Sequence, residues 1–164
     1  MTQTVDEFIN YLESVHTRTA RLLPLIPLDR LEWRPADDKF SFGDLVRHLA
    51  AIERYLFVET VIGGANRYPG HGEALAKGFD AVISYYETLH NESVTLLKTL
   101  SDDDLSAKCQ TPAGTSITVW KWLRAMLEHE VHHRGQLYLM LGLIGVETPP
   151  LFGLTSEEVL ERSR

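Results

Sequence analysis

Residues 127–136 have the sequence LEHEVHHRGQ, and this stretch decides the fold that we expect for the chain. It lies in an apolar segment with helical periodicity, so His129 and His133 should lie one turn apart on the same helix face. Burying two imidazoles this close together costs several kcal/mol unless their nitrogens have partners. A metal ion would satisfy both rings, and a third ligand from a neighbouring helix would complete an open site.

Apolar periodicity predicts four long helices and a short tail helix. The start signals are Ser or Thr residues followed three positions later by an acidic residue. The predicted helices run from Thr4 to about Leu23, from Ser41 to just before Gly63, from about Glu73 to Leu100 and from Ser116 or Thr118 to about Leu143, with Thr155 and Glu158 capping the tail helix. The segment from Lys108 to Thr118 is predicted to be a loop with at most a short extended piece. These elements indicate an all-α protein, a four-helix up-down bundle with room for a crossover connection.

Length and composition indicate one globular domain over residues 1–164, with 44% hydrophobic residues. The net charge of −7 argues against nucleic acid as a partner. Asp6 and Glu7 do not fit a signal peptide, and the apolar run from Leu137 to Val146 is too short to span a bilayer. The single Cys109 excludes a disulfide framework and a cysteine-rich zinc site. We therefore expect a cytoplasmic protein that does not enter membranes.

The five residues from His129 to His133 also match the H-E-x-x-H motif of zinc metalloproteases. We disfavour a protease because no histidine follows His133 and the chain has no room for a substrate-binding sheet. The helical wheel places Glu130 on the flank of the bundle, where we expect a solvated side chain. Arg134 points elsewhere on the wheel, and we expect it to pair with a carboxylate on another helix.

Two histidines compete as the third ligand, His48 on the second predicted helix and His90 on the third. His48 falls at the inward edge of its apolar stripe, whereas His90 lies near the centre of its own stripe and could serve the core alone. Glu53, one and a half turns after His48, is either a base for the site or an ordinary surface charge. Helical geometry does not rank these possibilities.

A family resemblance does rank them. The motifs that carry it are Trp33-x-Pro35, Ser41-Phe42-x-Asp44-Leu45-Val46-x-His48-Leu49, His129-x-x-x-His133-Arg134-Gly135-Gln136 and Leu143-x-Gly145. With these motifs nearly the whole chain resembles the DinB-like (YfiT-like) family of metal-dependent enzymes. The resemblance implies a four-helix bundle with one divalent metal ion, zinc or nickel, held by His48, His129 and His133. It also implies a homodimer.

Three neutral imidazoles leave coordination positions for water or substrate, which is typical of a catalytic site. The resemblance implies an enzyme acting on a small molecule, either a transferase that uses a low-molecular-weight thiol or a hydrolase. Candidate catalytic residues are Gln136, which shares the inward stripe with both ligands, and Glu53. The alternative is a non-catalytic, metal-stabilised bundle that serves as a stress-response or interaction protein. A fourth ligand from His90 or Glu53 would favour that alternative, because structural metal sites are usually closed.

Overall fold

The body of the protein is a bundle of helices, seen here in a computed structural model that describes residues 4–163. The helices are α1 (Val5–Ala20), α2 (Phe42–Ile52), α3 (Glu59–Val61), α4 (Phe79–Leu97), α5 (Val119–Leu143) and α6 (Ser156–Arg162). A π-helical segment, Glu53–Val58, joins α2 to α3, so these three pieces follow one another without a break. Short 3₁₀ turns occupy Leu23–Leu25, Leu28–Arg30 and Asp103–Ser106. The predicted all-α bundle with a short C-terminal helix is confirmed.

Capping explains where the helices begin. Capping boxes start α1 at Thr4, α2 at Ser41 and α6 at Thr155, as the sequence predicts. The prediction for the third long helix was wrong at its start, because α4 begins at Phe79 rather than near Glu73. Gly78, immediately before it, has a positive φ of 84°, a conformation that interrupts a helix and that glycine adopts without strain.

The predicted loop before α5 contains a small antiparallel hairpin. Its strands are β1 (Lys108–Gln110) and β2 (Ser116–Thr118), with Cys109 opposite Ile117. Gly114 has a positive φ of 75° in the turn between them. Strands of three residues are too short to show the alternating pattern by which strands are recognised in a sequence.

The helices contact one another in an order that differs from their order in the chain. α1 packs mainly on α5 and α4, while α2 packs mainly on α4 and α5. α1 and α2 therefore lie across the core from each other, and the chain between them crosses the bundle. This arrangement places the middle of α2 beside α5, where the two halves of the predicted site meet. Within residues 4–163, none of the helices has the length and apolar character needed to span a bilayer.

The apolar interior is divided into two clusters of buried side chains. One is centred on Phe8, Leu12, Leu97 and Leu123, and the other on Phe42, Leu45, Val82 and Leu141. Between them, along every long helix, buried polar residues interrupt the apolar stripes. We call this set the polar layer: His16, Thr19, Glu53, His90, Ser93, Glu130 and Arg134. A buried polar layer needs internal partners, since water cannot supply them freely there.

Candidate metal centre

Three histidines converge where α2 meets α5. The ligand-type nitrogens of His48, His129 and His133 all lie within 4.8 Å of one another. The Nε2 atoms of His48 and His129 are 3.0 Å apart, and the His129 and His133 ring centroids are 4.5 Å apart. We call these three residues the outer cluster. The structure thus brings together the three histidines selected from the sequence, and their role as metal ligands remains a prediction.

The start of α2 sets the position of His48. The Ser41 side chain accepts a hydrogen bond from the Asp44 amide, and the Asp44 carboxylate accepts one from the Ser41 amide, each at 3.0 Å. His48 follows Asp44 by four residues and so lies one turn further along the same face. On α5, the four-residue spacing places His129 and His133 on one face by the same rule.

All three imidazoles of the outer cluster are held in the neutral form. Burial lowers the pKa of His48 to about 3, with a further contribution from repulsion by His129 and His133. Burial and the adjoining His133 lower the pKa of His129 to about 4. Burial also lowers the pKa of His133, although a hydrogen bond with Gln136 opposes the shift. Neutral rings keep the lone pairs that a metal ion requires.

Hydrogen bonds on the outer nitrogens orient two of the rings. His133 donates from Nδ1 to Oε1 of Gln136 at 2.7 Å. Because an amide oxygen only accepts, the proton of neutral His133 is on Nδ1 and its Nε2 is left as a free lone pair. Gln136, a candidate catalytic residue in the sequence analysis, therefore contacts a ligand candidate and fixes its tautomer.

His48 is oriented by a loop whose contact with this histidine was not predicted from the sequence. Its Nδ1 lies 2.8 Å from the Tyr68 hydroxyl, and that hydroxyl lies 2.6 Å from Nδ1 of His71. Burial raises the pKa of Tyr68 to about 12, so the phenol keeps its proton and can donate it to His71. In that arrangement Tyr68 accepts from Nδ1 of His48 and leaves the Nε2 lone pair free. The histidine between two glycines in Gly70-His71-Gly72 was the only signal in the sequence, and it does not indicate which helix the loop contacts.

Phe40 covers the same rings from the connection before α2. Its ring centroid is 5.1 Å from that of His48 and 6.1 Å from that of His133. It is also 4.4 Å from the ring of His71. An aromatic side chain in this place keeps the imidazoles in a largely apolar setting, which is one physical cause of their low pKa values.

Arg47 anchors the loop that carries Tyr68 and His71 to α2. Its guanidinium is fully buried and donates to both carboxylate oxygens of Glu32 at 2.9–3.0 Å and to Asp44 at 3.2 Å. It also donates to the carbonyl oxygens of His71, at 2.7 Å, and Ala76, at 3.0 Å. The loop that carries Tyr68 and His71 is thereby tied to the residue next to His48. The sequence around Arg47 does not indicate which loop this side chain contacts, because its partners there lie 24 and 29 residues away.

A pocket of about 490 Å³ opens beside the outer cluster. His133 and Gln136 form part of its wall, and most of the remaining wall is apolar. Its other lining residues are Pro35, Ala36, Asp38, Lys39, Phe40, Leu45, Leu139, Met140 and Leu143. Pockets of this size and character are typical of small-molecule sites.

A second cluster lies in the polar layer and contains the other candidates. Ligand-type atoms of His16, Glu53 and His90 lie within 4.8 Å of one another, and we call these residues the inner cluster. Glu53 is directed at His90, with Oε1 3.1 Å from Nδ1 of that ring. The two residues that could have closed the outer cluster, Glu53 and His90, are therefore partners of each other. A catalytic role for Glu53 stays a prediction.

Two expectations about α5 were wrong. Glu130 is only 5% exposed rather than solvated, and it accepts a hydrogen bond from the Tyr86 hydroxyl at 3.1 Å. Its burial, and the neighbouring Glu53, raise its pKa to about 7. Arg134 donates to the Val15 carbonyl oxygen at 3.2 Å instead of to a carboxylate on another helix. Both errors have one cause, because α1 and α4 cover a flank that a helical wheel treats as open.

Comparison with known proteins gives a consistent family. A family model described as the DinB superfamily matches residues 11–137 of the chain. YjoA, an uncharacterised protein of Bacillus subtilis (strain 168), is 22% identical over 150 residues, covering 90% of this chain and 95% of YjoA.

Solved structures share the fold. A DinB-like protein from Bacillus cereus ATCC 10987 superposes with a TM-score of 0.76 at 18% identity, over 92% of this chain and 99% of that one. YfiT from Bacillus subtilis, described as a probable metal-dependent hydrolase with an unusual four-helix bundle topology, superposes with a TM-score of 0.69 at 18% identity, over 87% and 89% of the two chains. A mycothiol-dependent maleylpyruvate isomerase gives a TM-score of 0.53 at 16% identity, over 81% of this chain and 60% of the isomerase. At these identities the likeness shows the fold alone.

Proposed function

The chain belongs to the DinB superfamily, and from that premise we propose that it is a metal-dependent enzyme acting on a small molecule at the outer cluster. The observation that carries the proposal is the convergence of three neutral imidazoles beside an apolar pocket. Among residues 4–163, no cysteine, carboxylate or further histidine joins the three as a fourth ligand. Three protein ligands with a position left open are typical of catalytic rather than structural metal sites.

The donor set fits a divalent transition metal. His48, His129 and His133 would hold it, and their low pKa values mean that few protons compete for the nitrogens. Imidazole ligands suit zinc and nickel, and we propose one of these two ions. When bound, such an ion supplies Lewis-acid chemistry, lowering the pKa of a coordinated water or thiol.

The residues around the cluster define the remaining tasks. The apolar wall of the pocket, including Phe40, Leu45 and Met140, would bind an apolar part of the substrate and exclude water. Gln136 and Tyr68 hold the rings of His133 and His48 in the orientations described above. The substrate would therefore carry its reacting group at the histidine end and an apolar group along the pocket.

Two reaction classes are compatible with this site, and each has a structural relative that names it. YfiT is described as a probable hydrolase, and the isomerase is described as depending on the thiol mycothiol. For this chain we propose either transfer of a low-molecular-weight thiol to an electrophile or hydrolysis of a small molecule. The non-catalytic alternative would gain from a fourth protein ligand, and its two candidates, His90 and Glu53, lie in the inner cluster instead.

The test combines metal analysis with an activity screen. Protein produced without an affinity-tag metal is stripped with a chelator, reloaded with Zn²⁺ or Ni²⁺, and compared with His133→Ala. The screen uses cysteine or glutathione with 1-chloro-2,4-dinitrobenzene for thiol transfer, and 4-nitrophenyl esters for hydrolysis. Loss of one of three ligands should weaken metal binding and reduce any turnover by more than about 100-fold, a larger effect than loss of a hydrogen bond to a ligand.

His132→Ala is the matched control, because His132 adjoins a ligand candidate but is exposed and contacts the cluster only through Gln136, whose amide nitrogen lies 3.2 Å from its Nε2. It should keep the metal and lose far less of any turnover than His133→Ala. A loaded wild type that reacts no faster than loaded His133→Ala in either assay, while the metal still raises its melting temperature, would favour the non-catalytic bundle. Size-exclusion chromatography with light scattering checks the predicted homodimer. The single domain over residues 1–164, the cytoplasmic location and the absence of nucleic-acid binding stay predictions.

A further inference from the structure

The polar layer contains ligand-type groups that the proposed function does not use. His16 comes from α1, Glu53 from the π-helical segment after α2, and His90 from α4. All three are buried, at 5%, 7% and 4% exposure, and their ligand-type atoms lie within 4.8 Å of one another. We infer that the inner cluster is a second divalent-metal site inside the bundle, with two imidazoles and one carboxylate as ligands.

A lone pair without a donor points to a missing partner. Nε2 of His16 lies 3.4 Å from a Glu87 carboxylate oxygen. A carboxylate only accepts, so Nε2 of the neutral ring carries the proton and Nδ1 is a bare lone pair. That Nδ1 is buried and has no hydrogen-bond partner. A buried lone pair beside a second imidazole and a carboxylate is a position that a bound cation would satisfy.

The charges of the layer favour a cation. Glu53 and Glu130 are both buried, and the side chains of Glu13 and Glu87 approach the two histidines from the rim. Arg134 offsets part of the Glu130 charge. Both nitrogens of His90 face carboxylates, since Oε1 of Glu53 lies 3.1 Å from Nδ1 and a Glu13 carboxylate oxygen lies 3.4 Å from Nε2. A dication bound among these groups would supply the positive charge that so many neighbouring carboxylates favour.

The backbone at Glu53 and the solvent exposure around the inner cluster are both consistent with metal binding. Glu53 begins the π-helical segment, and such segments inside α-helices occur frequently at functional sites. The Glu13 and Glu87 side chains are 48% and 46% exposed, so the cluster is reachable from solvent past two carboxylates. Two histidines and one carboxylate suit Zn²⁺, Mn²⁺, Fe²⁺ or Co²⁺ rather than Ca²⁺ or Mg²⁺.

Binding requires one local change. The rings of His16 and His90 are stacked, with centroids 3.4 Å apart and planes 8° from parallel. Parallel rings direct their lone pairs along parallel lines, so the rings must tilt apart for both nitrogens to reach one ion. A crystal structure with the metal should show this interplanar angle opened well beyond 8°, and a structure soaked in Zn²⁺ that holds only water in the layer would overturn the inference.

The solution test counts equivalents of Zn²⁺ and Co²⁺ bound to chelator-stripped, full-length protein in competition with a chromophoric chelator. Wild type should bind two equivalents. Glu53→Gln, which keeps the shape of the side chain, and His16→Phe, which keeps the ring stack, should each bind one. His133→Ala should also bind one, and the double variant His133→Ala/Glu53→Gln should bind none, which distinguishes two separate sites from two variants of the same site.

His132→Ala controls for adventitious binding to a surface imidazole and should retain two equivalents. Circular dichroism checks that each variant is folded. If His16→Phe does not fold, Glu53→Gln alone tests the inner cluster. A wild type that binds a single equivalent, lost in His133→Ala and kept in Glu53→Gln, would overturn the inference, whereas a single equivalent with the opposite pattern would support the inner cluster and contradict the outer one. A second equivalent that persists in Glu53→Gln would also overturn the inference.

Discussion

The outer and inner clusters each bring together imidazoles from different helices, but their surroundings differ. The outer cluster has three histidines and an apolar pocket beside it, and within residues 4–163 no carboxylate lies within ligand distance of it. The inner cluster lies in the polar layer, where Glu53 and Glu13 hold a proton on His90 while His16 stays neutral. Burial and neighbouring imidazoles favour neutral rings in the outer cluster, whereas carboxylates favour a charged His90 ring in the inner cluster. The same side chain is thus set for different tasks by its neighbours.

The clusters also differ in what supports them. The outer cluster is oriented by side chains from connections, namely Phe40, Tyr68 and His71, and Arg47 holds the loop that carries the last two. The inner cluster is built on helical residues throughout. Changes in the connections should therefore disturb the outer cluster alone, and changes within the polar layer should do the reverse.

The largest expected effect follows from Arg47→Met. This change leaves the Glu32 and Asp44 carboxylates without their buried partner, and breaking such a pair costs about 3–5 kcal/mol. It also releases the His71 and Ala76 carbonyl groups, so amide hydrogens of residues 65–77 should exchange faster. Urea unfolding and hydrogen exchange measure the two effects. Arg47→Lys keeps the positive charge but not the paired guanidinium hydrogen bonds, so it should lose less unfolding free energy than Arg47→Met. Unchanged amide exchange in residues 65–77 of Arg47→Met would contradict the role of Arg47 in holding the loop.

Gln136→Leu comes next and affects metal binding rather than folding. Without the acceptor for Nδ1 of His133, the ring loses its fixed tautomer and orientation. Loss of such a partner typically weakens metal affinity about 10–100-fold. Chelator competition with Zn²⁺ gives the affinity, and Gln136→Glu, which keeps an acceptor, should recover most of it. Equal affinities for the wild type and the Leu variant would show that the ring needs no such support.

Tyr86→Phe tests the hydrogen bonding of the polar layer through its effect on stability. The change removes the hydroxyl that donates to Glu130 at 3.1 Å and leaves a buried carboxylate short of one donor. The expected loss of unfolding free energy is about 1–3 kcal/mol. Tyr138→Phe, on the partly exposed face of α5, is the control and should change little. A stability equal to that of wild type would mean that Glu130 does not depend on this bond.

The smallest effect is the acid response of Asp44. Burial opposes its ionisation, but hydrogen bonds from Ser41 and from Arg47 outweigh burial and lower its pKa below the usual 3.8. A carboxyl whose pKa is lower in the folded state stabilises the protein above pH 3.8 and loses this contribution as pH falls through the folded-state value. Urea unfolding between pH 6 and pH 3 should show wild type losing about 1 kcal/mol of its advantage over Asp44→Asn, the usual size of a charge at a helix start. An advantage that stays constant over that range would contradict an ionised Asp44.

Much of the bundle follows from local rules. The starts of α1, α2 and α6 are given by their capping residues, and α5 begins within three residues of both predicted starts, Ser116 and Thr118. The start of α4 was missed because the apolar pattern of Glu73 to Gly78 resembles a helix until the positive φ of Gly78 is known. The hairpin was missed because three-residue strands carry too little pattern.

By itself, the sequence determined that the chain forms a helical bundle and that His129 and His133 share a face, because capping and helical periodicity act over a few residues. The family resemblance selected His48 over His90, but only the tertiary structure shows the His48 ring beside His129 and His133, pairs Glu53 with His90 and buries Glu130. It also recruited Tyr68 and His71 to the outer cluster. These outcomes depend on which helices lie side by side and on how Arg47 holds a distant loop. Contacts between residues far apart in the chain have no local signature from which they could be predicted.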